Sequence, residues 1–357
     1  MPSNFTHLHL LTSYSLSCST INIDKLIKQA KKNKITTLAI TDHLNVFAAI
    51  KFYQKCIDNK IKPIIGCQVP VKYDQLDRVT PNIIILCKDI AGYKNLIKLL
   101  SEIHVKKEKN KTASADIEQL RKYHNGLILL TGGRFGILGC NLLSEDNSSK
   151  INFVKLLKEI FQDRLYVQIN RGNNESEKLY NNKILIIAEQ LSLPIVATNH
   201  VLFLEKEDFD AHEVRVCINK KVKIDDRGNQ KEFTDEQYFK TEKELKTLFV
   251  DIPDAIENIS EIVKKCNIHI NTVGYHLPLF NTPDNSDVDK YFDIIVQKGL
   301  ETILEGKDDL DINLYKDRLK YEISVIKEMG FVSYFLIVHE FIDWSKNQID
   351  KYDYDFL

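Results

Sequence analysis

The first residues able to do chemistry lie in the opening stretch Phe5-Thr6-His7-Leu8-His9-Leu10-Leu11-Thr12. Two imidazoles separated by one residue on an extended segment point to one face, which is how a paired ligand set is offered to a metal ion. Thr41-Asp42-His43 sets a carboxylate next to an imidazole. Neighbours on a strand point to opposite faces, so a general acid–base pair there would need a turn to bring the two together, and a structural role is expected. Asp210-Ala211-His212-Glu213 has ligand-type side chains but falls on a predicted helix, where a solvated face is expected. His104 with Lys106, Lys107 and Lys109 makes a small basic cluster of the kind that touches phosphates, although a solvated loop is the expected role.

These candidates must be carried by a globular frame. With 357 residues and 43% hydrophobic content, the chain can build one large α/β barrel or two ordinary domains. Lys and Arg number 49 against 50 Asp and Glu, a net charge of −1, so no global field draws the molecule to nucleic acid and any such contact must be local. Cysteines 18, 56, 67, 87, 140, 217 and 266 form no C-x-x-C pair, and several sit in apolar runs, the usage of reduced, buried thiols in a cytosolic protein. No apolar run approaches the roughly 18 residues of a membrane span, so a soluble, cytoplasmic protein with no membrane partner is expected.

Hydrophobic periodicity supplies the elements. THLHLL is strand-like, and in INIDKLIKQAKKNK the residues Ile23, Leu26, Ile27 and Ala30 recur at helical spacing. Predicted strands ITTLAIT, KPIIGCQVPV, NIIILC, GLILLT, RLYVQIN and LPIVATN come after it, mostly separated by amphipathic helices. About seven strands in this alternation predict a parallel α/β architecture closed as a barrel, with chemistry at the C-terminal strand ends. The alternation loosens from Val201 to about Asn271, and YHLPLFNTPDNSDVDKY reads as a linker into a helical segment with a Met-Gly break. The expected division is a barrel over 1–270, then a linker and helical segment over 271–357.

In order along the chain, FTHLHLLTSYSL, LAITDHLNVFAAIKFY, KPIIGCQVPV, AGYKNLIKLLS, LPIVATNHVLF, DAHEVRVCINKKVKIDD and YKDRLKYEISVIKEMGFVSYFLIVHEFIDWSK resemble the N-terminal part of bacterial DNA polymerase III alpha subunits, the C-family replicative polymerases. The resemblance covers essentially the whole chain. It implies a PHP (polymerase and histidinol phosphatase) domain, a distorted seven-stranded TIM-like barrel, followed by a mainly helical entry into the polymerase palm. In metal-binding PHP domains, His, Asp, Glu and Cys at the strand ends hold a metal cluster that lowers the pKa of bound water and polarises phosphate.

Carried over residue by residue, that ligand set is depleted here. The family's opening H-x-H-x-H has Leu11 for its third histidine, and an isobutyl group offers no lone pair. His43 is kept, but the carboxylate of G-C-E becomes Gln68, a strand histidine becomes Asn82, the thiolate of S-G-C becomes Gly133, and a strand carboxylate becomes Gln168. In the late N-D-x-H pattern, His200 stands for the aspartate and Leu202 for the histidine. Clustered cations need anionic ligands to offset their repulsion, so His7, His9, His43 and His200 are expected to be remnants of a degenerate metal site, with no tightly bound ion. Tyr14 and Ser15 match the family motif and are expected to support the first turn.

The resemblance further implies a parent enzyme that extends primed DNA with dNTPs and Mg²⁺. Its PHP domain docks the proofreading exonuclease subunit, alongside other holoenzyme subunits. The palm carboxylates of nucleotidyl transfer follow a glycine-rich segment after W-[AS]-K, whereas here Trp344-Ser345-Lys346 leads into NQIDKYDYDFL. Asp350, Asp353 and Asp355 are therefore not expected to be those carboxylates, and the departure points to an engineered end, a fragment or a frameshifted gene product. The chain is expected to act as a scaffold; the rival reading is an autonomous metal-dependent PHP phosphoesterase or exonuclease.

Overall fold

Asn22 accepts hydrogen bonds from the backbone N–H groups of Asp24 and Lys25, which starts the first helix, α1 (Ile23–Lys32), and its Ile23, Leu26, Ile27 and Ala30 face inward at the predicted spacing. The structure is a computed structural model, which describes residues 5–16, 18–72, 80–107, 112–140, 148–224, 232–272, 277–307 and 311–348. After α1 come β1 (Thr37–His43), α2 (Ala49–Asp58), β2 (Lys62–Pro70), β3 (Asn82–Cys87), α3 (Ile90–Val105), α4 (Ile117–Tyr123), β4 (Leu127–Leu130), α5 (Ser148–Phe161), β5 (Leu165–Asn170), α6 (Glu175–Gln190) and β6 (Ile195–Thr198). Helices α7 (Phe209–Lys220), α8 (Glu242–Leu248) and α9 (Pro253–Lys265) complete the first of two compact units, 1–271.

The six strands lie in the spatial order β1-β2-β3-β4-β5-β6. The sheet is mixed, which corrects the all-parallel expectation: β3 runs antiparallel to both β2 and β4, while the other neighbours are parallel. An antiparallel neighbour needs no crossover helix, so the short stretch of 11 residues between Pro70 and Asn82 suffices to join β2 to β3. Ile83, Ile84, Ile85, Leu86 and Cys87 are all buried, as expected of a strand covered on both faces.

The opening segment closes the sheet without becoming a regular strand. Leu10 forms a lone parallel bridge to Val201. The Thr41 N–H donates to the Leu10 carbonyl at 2.7 Å, and on the other side Leu11 N–H donates to Val201 and Val201 N–H to His9. Ladder pairing stops there because side chains take over: Leu10 N–H donates to Thr41 Oγ1 and Thr12 N–H to Asp42 Oδ1. The result is a distorted barrel whose seventh strand is reduced to one bridge.

The second unit, 272–357, holds α10 (Val288–Leu304), α11 (Ile312–Glu328) and α12 (Val332–Gln348), packed around Phe292, Val332 and Leu336. The Met-Gly break falls where predicted, with Gly330 at φ +69° between α11 and α12. Tail residues Asp350, Asp353 and Asp355 lie outside the described residues, as does Lys109. Among the described residues no helix is long and apolar enough to cross a membrane. All seven cysteines are free, and burial pushes the Cys140 thiol up to about 11 and that of Cys266 to about 12.

Candidate functional site

His9 enters the barrel mouth from the opening segment, His43 from the end of β1, Gln68 from β2, Gln168 from β5 and His200 from just beyond β6. Gln168 Nε2 donates to His9 Nδ1 at 3.0 Å, so the His9 proton sits on Nε2, which donates to Gln68 Oε1 at 2.9 Å. The Gln68 amide nitrogen then faces His43 Nδ1 at 3.4 Å. The Tyr180 hydroxyl donates to the Gln168 carbonyl at 2.8 Å and steadies β5 from α6. His200 stacks on His9, with centroids 4.0 Å apart and planes at 15°, and Phe135 and Phe233 meet it edge-on. His9, His43, Gln68, Phe135, His200 and Phe233 line a cavity of about 180 Å³.

His7 is not part of this group. Its Nε2 donates to the Lys240 carbonyl at 2.8 Å, and its ring packs between Phe5 and Phe239 at 5.0 and 4.7 Å. The one-residue spacing therefore does not make His7 and His9 a ligand pair. Burial pushes both imidazoles down to about 4, and it lowers His43 and His200 as well. A burial penalty on the charged form leaves all of them neutral at pH 7.

Asp42, the matched carboxylate, does not face the imidazoles but holds the first turn. It accepts from the Thr12 N–H at 2.7 Å, from the Thr12 hydroxyl at 2.8 Å and from the Ser15 hydroxyl at 2.5 Å. Ser15 Oγ in turn accepts from the His43 N–H, so Ser15 supports the turn as expected. Burial raises the Asp42 carboxyl against the pull of these donors. No acid–base pair forms from Asp42 and His43.

The Asp210–Glu213 stretch corrects the expectation of a solvated face. Asp210 is exposed, but α7 turns His212 and Glu213 inward with Val216 and Cys217. His212 Nε2 donates to the Cys18 carbonyl, and its ring packs on Phe203 and Phe233. The basic cluster is partly neutralised: Lys106 pairs with Glu102 at 2.7 Å, and His104 donates to the Leu44 carbonyl.

Other residues at the mouth belong to no motif in the sequence. Arg134 stacks on Phe135 at 4.1 Å, donates to the Glu232 carbonyl and faces the buried Glu177 carboxylate at 3.5 Å. Their one signal along the chain is the Gly132-Gly133 pair at the C-terminal end of β4, where φ is +85° and +62°. A Cβ on Gly132 would lie 1.9 Å from the Asn82 carbonyl oxygen, and one on Gly133 would lie 2.3 Å from Asn170 Oδ1. A side chain at 133 would have to displace the Asn170 amide and adopt a left-handed backbone.

The donor set does not fit a metal cluster. Both His9 nitrogens are engaged by amides, Asp42 is saturated by hydroxyl and backbone donors, and the remaining matched groups are neutral. Among the described residues, no group of three or more His, Cys, Asp or Glu side chains is placed to hold a metal ion. What the arrangement does chemically is clamp the opening segment to β2 and β5 through one imidazole.

The curled mixed sheet, its helices and the residues gathered at its mouth define a PHP-type barrel, and the PHP domain profile matches residues 7–172. The profile described as bacterial DNA polymerase III alpha NTPase domain matches residues 290–350. DNA polymerase III subunit alpha of Pseudomonas fluorescens is 35% identical over 355 residues, 97% of this chain and 30% of that protein. The Escherichia coli K12 subunit is 36% identical over 349 residues, 96% of this chain and 30% of that protein. An amidohydrolase from Chromobacterium violaceum superposes with a TM-score of 0.40 at 12% identity, over 55% of this chain and 87% of that one. Over 96–97% of its length the chain is similar to the curated DNA polymerase III alpha subunits, and it spans about 30% of the length of those relatives.

Proposed function

We propose that this chain is the structural PHP module and palm entry of a replicative DNA polymerase alpha subunit, and that its barrel is a scaffold and not a phosphoesterase. The observation that carries this reading is the Gln68–His9–Gln168 clamp, which occupies with neutral amides the positions where a metal site needs anionic ligands. Among the described residues at the mouth, the Glu232 carboxylate that lines the cavity is paired with Lys220 at 3.0 Å, and the matched ligand positions offer neutral groups, a poor set for activating water against a phosphodiester. The reading extends to a larger enzyme that adds dNTPs to primed DNA with Mg²⁺ in the cytoplasm, joined by other holoenzyme subunits, with the barrel surface as the dock for the proofreading exonuclease subunit. Residues 1–270 are then the PHP domain and 271–357 the linker and first part of the palm.

The test is metal content together with hydrolysis. After extensive dialysis, elemental analysis of the purified chain should find well under one transition metal per chain. Cleavage of a phosphodiester substrate and of single-stranded DNA should stay at the buffer rate with added Mn²⁺, Zn²⁺ or Mg²⁺. Two or more tightly held ions with metal-dependent turnover that survives further purification would establish the autonomous phosphoesterase instead.

A further inference from the structure

We propose that the outer face of α1 and α2 binds the phosphodiester backbone of nucleic acid. From Ile23 to Lys62 the chain carries nine lysines and no arginine, against Asp24, Asp42 and Asp58. Asp42 is buried at the barrel mouth and does not offset them. Lys25, Lys28, Lys32, Lys34, Lys51 and Lys60 are exposed, and none of them makes an ion pair among the described residues.

The fold gathers these charges on one surface. Lys55 of α2 pairs with Asp24 of α1 at 2.8 Å, and Lys31 Nζ donates to Asn59 Oδ1 at the end of α2 at 3.1 Å. The hydrogen bond from Lys55 holds the Asp24 carboxyl low, and the fields of Lys51 and Lys28 add to it, which places lysines of both helices around one carboxylate. Elsewhere on the barrel, lysines answer nearby acids: Lys106 and Lys122 meet Glu102, Lys246 meets Glu242, and Lys264 meets Glu261.

Helix stability does not account for the face. Lys31 and Lys32 lie in the last turn of α1, where a cation complements the helix dipole. Lys25 and Lys51 are each the third residue of their helix, where the same dipole opposes a positive charge, and α2 has no acidic residue in its first turn. Protein interfaces favour Arg and aromatic anchors and are depleted of Lys, whereas a run of lysine point charges suits phosphates, whose condensed counterions are released on binding. This face is on the outside of the barrel, independent of the mouth and of the scaffold reading.

The purified 357-residue chain would be titrated into a fluorescein-labelled duplex of arbitrary sequence, by anisotropy, at salt from about 50 to about 200 mM. Wild type should bind, with affinity falling steeply as salt rises. The triple variant Lys28→Glu, Lys51→Glu, Lys60→Glu should lose at least about tenfold, and its log–log salt slope should shrink by about 2 to 3. The matched control Lys94→Glu, Lys98→Glu, Lys155→Glu, on α3 and α5, should stay near wild type. Should the first triple melt early, Lys51→Ala alone should weaken binding about two- to threefold while its melting temperature holds or rises. Three outcomes overturn the proposal: no duplex binding by wild type at the lowest salt, an equal loss in the control triple, or displacement of the duplex by polyglutamate at equal charge concentration, which would assign the face to an acidic protein.

Discussion

At the scale of single residues, His9 and Asp42 hold the mouth by opposite means. His9 is buried and neutral between two amides; Asp42 is buried and surrounded by donors. His7 and His9 titrate near 4 in the fold, while a free imidazole titrates near 6.5, so on acidification the unfolded chain takes up protons first. Their contribution is intact above about pH 6.5, falls as the pH drops through that window and levels off near 4, a loss of about 2 kcal/mol per imidazole at pH 5. Urea unfolding of wild type and His9→Gln at pH 7 and pH 5 checks this: the variant should lose less stability between the two, and parallel losses would refute the assignment. Asp42→Asn removes the charge that strengthens the bonds from the Thr12 N–H and Ser15 hydroxyl to Oδ1, and sets an N–H₂ against the Thr12 hydroxyl in place of Oδ2. It should cost about 2 to 3 kcal/mol in the same assay at pH 7, and a loss below about 0.5 kcal/mol would show that the turn does not depend on the carboxylate.

Among elements, the turn after β4 is the least tolerant connection at the mouth. Gly132 sits at φ +85° with the Asn82 carbonyl where a Cβ would stand, so Gly132→Ala combines left-handed strain with a backbone clash. It should destabilise by about 2 to 4 kcal/mol. Gly299→Ala, inside α10 with open space around it, should be neutral or stabilise by up to about 1 kcal/mol. Melting curves of the two variants decide the matter, and a Gly132→Ala chain as stable as wild type would mean that β3 and β4 can part without consequence.

For the molecule as a whole, the two units differ in how much they bury. The barrel interior is continuous from Phe5 to Cys266, whereas the second unit centres on Phe292, Val332 and Leu336 and leaves Tyr334, Phe335, Phe341 and Trp344 exposed. Near the start of the second unit, residues 277–287 carry no helix or strand, and Leu279 is 86% exposed. Exposed backbone without regular hydrogen bonding is where proteases cut first. Brief thermolysin digestion should cleave within 277–287 and leave a resistant fragment of about residues 1–275. First cuts among the strands before Asn199, or equal resistance of the second unit, would show that the two share one core.

Much of this was legible along the chain. The 3.6-residue spacing of Ile23, Leu26, Ile27 and Ala30 determined α1, and the apolar run to Cys87 read as a strand, because periodicity and short apolar runs record which residues meet a core. The loss of ligands at Leu11, Gln68 and Gln168 was equally readable, since a side chain's donor capacity is fixed by its type. Direction and partnership were not. The antiparallel run of β3 depends on which edges pair, and His7 and His9 part because one meets the Lys240 carbonyl and the other two glutamines, from 59 to 233 residues away along the chain. His212 and Glu213 read as a solvated face because α7 carries little amphipathic pattern, and only the packing of Phe203 and Phe233 against that helix decided which side was in. Local sequence sets what each residue is able to do; the contacts that select among those options are long-range, and they exist only once the barrel has closed.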